Sequence, residues 1–138
     1  MKIECNDEIK KMLEKAKEGR NNAHAPYSNY LVGACLQTDD NELFIGCNIE
    51  NNGIQSICSE RVAFSKALSE GKRNFKSIFV ISAPRDAEYL EETLPCGYCR
   101  QFMNEFCKPD FKIYTYNEQL NEYKCYTLGE LLPHSFTF

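Results

Sequence analysis

Residues 95–99 read Pro95-Cys96-Gly97-Tyr98-Cys99. Pro95 stands where a helix can begin, and Gly97 to Cys107 continues as that helix. Two cysteines three apart at a helix start can face one ion, and the backbone N–H groups there favour thiolate over thiol. Taken alone, the pair reads equally as a redox dithiol or as a structural zinc knuckle. A second segment, Cys58-Ser59-Glu60, lies 38 residues upstream at another expected helix start. If the two helices lie side by side on one face of a sheet, their N-termini converge and three thiolates meet one zinc. A structural site closes with a fourth protein ligand, whereas a catalytic site leaves that position for water. Glu60 then fits a general acid/base beside the open position. Without the cysteines, it would read as an acid on a helix's first turn.

The flanking sequence supplies the layers. Ile9, Met12, Leu13 and Ala16 mark one face of a helix over Asp7–Lys17, with Asp7 as its cap and Gly19 as its stop. Leu31–Thr38 and Leu43–Ile49 read as a hairpin around Asp39-Asp40-Asn41. Ile57–Ser69 turns helical. Lys76–Ser82 reads as a strand buried on both faces. Phe111–Tyr116 and Tyr123–Leu128 are further strands, and Gly129–Leu132 is a helical turn. The alternation predicts an α/β layered domain with a mixed sheet of five strands.

Composition bounds the function. The chain has 138 residues, suited to a single domain over 1–138, with 43% hydrophobic and 26% charged residues. A net charge of −4 without a basic run argues against nucleic acid as partner. No signal segment or apolar stretch of bilayer length is present, so no membrane role is expected. Eight cysteines without a signal sequence read as reduced thiols in a cytoplasmic protein. Of these, Cys5, Cys35, Cys47, Cys107 and Cys125 lack ligand spacing and read as small hydrophobes.

Several motifs in order carry a resemblance: Ala25-Pro26-Tyr27-Ser28, Val32-Gly33-Ala34, Gly46-Cys47-Asn48-Ile49-Glu50-Asn51, Cys58-Ser59-Glu60-Arg61, Pro95 through Gln101, and Glu130-Leu131-Leu132-Pro133. Nearly the whole chain resembles the small tetrameric, zinc-dependent cytidine deaminases. A cysteine or histidine, a glutamate two later and a distant Pro-Cys-x-x-Cys form the zinc deaminase signature. The resemblance implies a three-layer α/β/α fold and one Zn²⁺ per chain on Cys58, Cys96 and Cys99. It implies hydrolytic deamination of cytidine and deoxycytidine, with Glu60 as the proton carrier and the Ser59 N–H facing the developing oxygen charge. Arg61 would contact the ligand sulfurs, and Gln101 would lie near the site. Asn48 and Glu50 would bind the ribose, and Tyr30 would lie near the base. Phe136 would serve a neighbouring subunit's site in a homotetramer with shared active sites.

Two departures stand out. The loop Asn51–Ile57 is one residue shorter than usual and lacks a tyrosine. Tyr98 replaces the small residue usual between the paired cysteines. The altered loop keeps another aminopyrimidine nucleoside, such as blasticidin S, as an alternative substrate. Two rivals fall outside this class. A zinc-stabilised binding module would need a fourth ligand from His24, His134 or Cys107, and a thiol redox protein would leave Cys58 and Glu60 without a role.

Overall fold

Asn6 opens the first helix, its side chain accepting the Ile9 N–H at 2.8 Å. The structure, a computed structural model, describes all 138 residues. The chain runs β1 (Lys2–Ile3), α1 (Asp7–Asn21), β2 (Tyr30–Thr38), β3 (Leu43–Cys47), α2 (Ser59–Ser69) and β4 (Phe75–Pro84). It continues through α3 (Gly97–Phe106), β5 (Lys112–Asn117), β6 (Glu122–Thr127) and α4 (Leu128–Leu131). Asp7 is therefore the first helical residue and not the cap. Gly19 does not end α1, which runs on to Asn21.

The sheet order is β1-β6-β5-β4-β2-β3, parallel only between β4 and β5. It has six strands where the sequence predicts five. The extra one, β1, is two residues long and pairs antiparallel with β6. A two-residue strand is too short to show an alternation, so nothing in the sequence pattern marks it.

Side chains alternate across β4. Ile78 and Val80 join Ala63, Phe64, Cys99 and Met103 on the α2/α3 side. Phe79 and Ile81 join Met12, Leu13 and Ala16 of α1 on the other. Both faces of the strand are thereby covered, and three layers result, α1 on one side and α2 with α3 on the other.

Topology places the functional helices. Strands β3 and β4 are both antiparallel to β2, so they run the same way and leave the sheet at the same end. Helices α2 and α3 follow them and begin at that end, where open α/β sheets place their ligands. Gly46 lets α2 approach: a Cβ there would overlap the Ser59 carbonyl and crowd the Ala63 amide. Gly19 plays the matching part in α1, because a Cβ there would lie 2.5 Å from the Gly46 carbonyl oxygen. Phe64 of α2 joins the two helices. Its ring lies 6.0 Å from Phe102 and 6.5 Å from Phe106 of α3, and 5.0 Å from Phe75 of β4. Such aromatic contacts add to the burial of the ring itself.

Phe64→Ala should therefore cost about 3–5 kcal/mol of stability, since it empties a fully buried site at the junction of three elements. Urea unfolding of the zinc-loaded protein measures the loss.

Candidate metal centre

Cys58 and Cys96 are the N-cap residues of α2 and α3, and both have extended backbones. Neither sulfur caps its own helix. Cys99 is the third residue of α3 and is fully buried. The three sulfurs lie within 4.8 Å of one another, and Cys58 and Cys96 are 3.8 Å apart. Tetrahedral ligation with Zn–S bonds of about 2.3 Å requires sulfurs about 3.8 Å apart. The two cap sulfurs therefore stand at the spacing that zinc requires, with the third close by. The approach to Cys58 is fixed by a backbone pair: Ile49 and Ile57 exchange hydrogen bonds of 3.0 Å in each direction.

Electrostatics points the same way. The Cys58 thiol is lowered to about 5, chiefly by the hydrogen bond from Cys99 and, against burial, by Arg61. Cys99 is raised in turn, first by that shared proton and then by burial. Within this pair Cys58 forms its thiolate readily and Cys99 resists, because two like charges held this close disfavour each other. Arg61 donates to the Cys58 sulfur at 3.6 Å. Burial opposes its charge, but its hydrogen bonds to Cys58 and Cys99 outweigh burial and raise its pKa.

Glu60, the second residue of α2, is 4% exposed. The Ser59 hydroxyl donates to its carboxylate at 2.7 Å. Burial pushes the Glu60 carboxyl above the usual carboxylate range, partly offset by Ser59. The Ser59 backbone N–H opens the helix and has no intrahelical acceptor.

No fourth side chain joins the sulfurs. Cys107 caps the far end of α3, eight residues from Cys99 and thus about 12 Å along the axis. His134 is exposed near the C-terminus. A zinc held by these three sulfurs would keep its fourth position for water, as in catalytic sites.

The other expected residues have partners of their own. Asn48 follows β3 and spans two backbone groups of β2: its side-chain oxygen accepts from Val32 N at 2.9 Å, and its amide donates to the Tyr30 carbonyl at 2.8 Å. Glu50 accepts from the N–H groups of Tyr27 and Ser28 and from the Ser28 hydroxyl. The Tyr30 hydroxyl bonds Ser82 Oγ at 2.7 Å and Glu91 at 3.1 Å. Gln101 holds the C-terminal tail, donating to the Phe136 carbonyl at 3.0 Å, and Asn104 donates to the same oxygen. The Phe136 ring is 63% exposed and packs edge-on against Phe138.

Three sets of contacts escape sequence reasoning. Ser82 bonds Thr93, bracing the segment that leads into Pro95. Arg100 donates to the Pro95 carbonyl at 2.7 Å and to the Leu131 carbonyl at 2.9 Å, tying the Cys96 approach to α4. Tyr98 covers Arg61. Contacts from side chains to carbonyls across elements leave no periodicity to read, although Arg100 directly follows the cysteine pair.

Cys99→Ala should remove the zinc and lower stability together, because metal binding and folding are linked. Metal content and thermal unfolding on one preparation check this; full zinc retention would take Cys99 out of the ligand set.

Comparison with known proteins agrees with this geometry. The family model described as the cytidine and deoxycytidylate deaminase zinc-binding region matches residues 6–115. The chain is 37% identical over 131 residues to the cytidine deaminase of Sporosarcina psychrophila, covering 94% of this chain and 92% of that protein. It is 40% identical over 127 residues to that of Halalkalibacterium halodurans, covering 91% and 92%. The crystal structure of cytidine deaminase from Burkholderia pseudomallei superimposes with a TM-score of 0.81 at 37% identity, over 92% of this chain and 98% of that one. With three cysteines set for a single zinc and a family match over most of its length, the chain belongs to the cytidine and deoxycytidylate deaminase family.

Proposed function

We propose that the protein hydrolyses cytidine and deoxycytidine to uridine and deoxyuridine, releasing ammonia. The observation that carries this is a buried carboxylate, Glu60, two residues from one member of a cluster of three sulfurs that no fourth side chain joins. The names of the relatives support cytidine over the blasticidin S alternative.

When bound, zinc supplies Lewis acidity that lowers the pKa of water at its open position. Glu60 would take a proton from the attacking water and deliver it to N3 of the pyrimidine as the water oxygen bonds to C4. Glu60 would then carry the remaining proton of the new C4 hydroxyl to the exocyclic nitrogen, so that the C4–N bond breaks, C4 becomes a carbonyl and ammonia leaves. The free N–H of Ser59 faces the oxygen on which charge develops. Three thiolates and Zn²⁺ sum to −1, and Arg61 with the two helix N-termini offsets that excess. The residue types at 48 and 50 suit a sugar. Asn48 is rigidly held by β2, and the Glu50 carboxylate keeps lone pairs for a hydroxyl beyond those given to Tyr27 and Ser28. The Tyr30 ring, fixed through its hydroxyl, is offered to the base. In this reading Gln101 acts indirectly, by holding the tail that carries Phe136.

The assembly is read as a homotetramer with shared sites, residues 1–138 forming one domain of each subunit. Tyr98, Phe136, Phe138 and the loop-tip Ile54 are all largely exposed, and such apolar exposure suits contact with another copy. The cytoplasm is the compartment proposed, because the eight cysteines are all in reduced form, three of them grouped to hold a metal. No helix is long and apolar enough to cross a membrane.

Glu60→Gln preserves shape but cannot accept a proton. Turnover should fall by about 10⁴-fold, the upper end for a general base, while zinc stays bound. Deamination rate and zinc content on the same sample decide, and near-normal turnover would sink the assigned role. Truncation after Leu132 should abolish activity and leave zinc in place; an active, monomeric truncation would contradict the shared site.

A further inference from the structure

We propose that Tyr98 is a positioning residue for Arg61 and, through it, for the zinc centre. Tyr98 is the second residue of α3 and stands between two ligand cysteines. Arg61 is the third residue of α2 and stands three residues after the other ligand. The two side chains meet across the helix gap, with the guanidinium carbon 4.1 Å from the centroid of the tyrosine ring. The ring does this while 66% exposed in the single chain, so the subunit's own core packing does not force it there.

The rest of the arginine is sparsely held. One terminal nitrogen donates to the Cys58 sulfur at 3.6 Å, Cys99 is the other sulfur within its reach, and the buried Nε has no hydrogen-bond partner. No carboxylate forms a salt bridge with it. A guanidinium in that state needs a wall. An aromatic face supplies one, because its negative quadrupole attracts the cation. A carboxylate at the same place would also hold the arginine, but it would draw donors and charge away from sulfur. The tyrosine orients Arg61 and leaves its charge directed at the thiolates.

The consequence is specific. Loss of the ring lets the guanidinium swing into solvent, and the excess negative charge of the sulfur cluster is then less well offset. Zinc retention and turnover should suffer, and substrate binding should not. The turnover arm rests on the deaminase reading given above; the zinc arm does not.

The test compares Tyr98→Phe, which keeps the ring, with Tyr98→Leu, which keeps an apolar side chain without it. Both are made in the parent and in an Arg61→Gln background. Zinc transfer from the folded holoprotein to a competing colorimetric chelator is followed, together with kcat and KM for cytidine. Tyr98→Leu should release zinc about two- to fivefold more readily, the scale of one cation–π contact. Its kcat should fall by a similar factor at unchanged KM, the mark of an interaction felt in the transition state. Tyr98→Phe should behave as the parent. In the Arg61→Gln background the leucine change should add nothing, since coupled residues are non-additive. Three results would overturn the proposal: parental zinc release in Tyr98→Leu, an equal loss in Tyr98→Phe, or an undiminished leucine effect without Arg61. A parent inert toward cytidine, with the zinc results as expected, would count against the deaminase reading and still support the positioning role.

Discussion

Two helix N-termini must arrive within bonding distance of one ion, and that requirement organises the chain. Directionality does the coarse work, because β3 and β4 leave the sheet at the same end. Close approach does the fine work. Gly46 removes the one methylene that would hold α2 off β3, and the aromatic group around Phe64 keeps α3 alongside. The Ile49–Ile57 pair and Arg100 then fix the last residues before each cap. The sulfurs are positioned by backbone packing on both sides.

The centre gives up local stability for this. A cap serine or aspartate would satisfy its own helix and contribute about 1 kcal/mol. Cys58 and Cys96 occupy those places without bonding their helices, and their sulfurs face each other instead. Glu60 is buried close to sulfurs that carry negative charge, an arrangement unfavourable for folding and useful for moving protons. Ser59 and Arg61 moderate the conflict from adjacent positions in sequence. Four consecutive residues, Cys58 to Arg61, thus carry a ligand, a hydroxyl donor to the carboxylate, the carboxylate and the counter-charge.

What the sequence showed depended on the range of the interaction. The buried faces of α1 and β4 were legible because periodicity is local. The cysteine spacing was legible because metal geometry restricts it. Gly19 read as a helix stop because its real partner, the Gly46 carbonyl, is distant in sequence. β1 was invisible for want of length. Asn48 and Glu50 were recognisable by resemblance, but their ties to β2 and to the Tyr27–Ser28 turn are tertiary facts. The meeting of Tyr98 with Arg61 belongs to neither helix alone and could be seen only once both were placed.

Cys58 and Cys96 stand 38 positions apart, and the segment between them contains α2 and the central strand β4. An ion held at both ends closes that segment into a ring. Closing a ring of this size restricts an unfolded chain much as a disulfide does, at an entropic cost that grows only slowly with ring length. The folded sheet has already met that cost by bringing the two caps together, so it binds the ion without meeting it again. By linkage, the ion returns the advantage and opposes opening of the strand on which both halves of the core rest. Substitutions deep in the sheet, far from any sulfur, are thereby coupled to how firmly the metal is held.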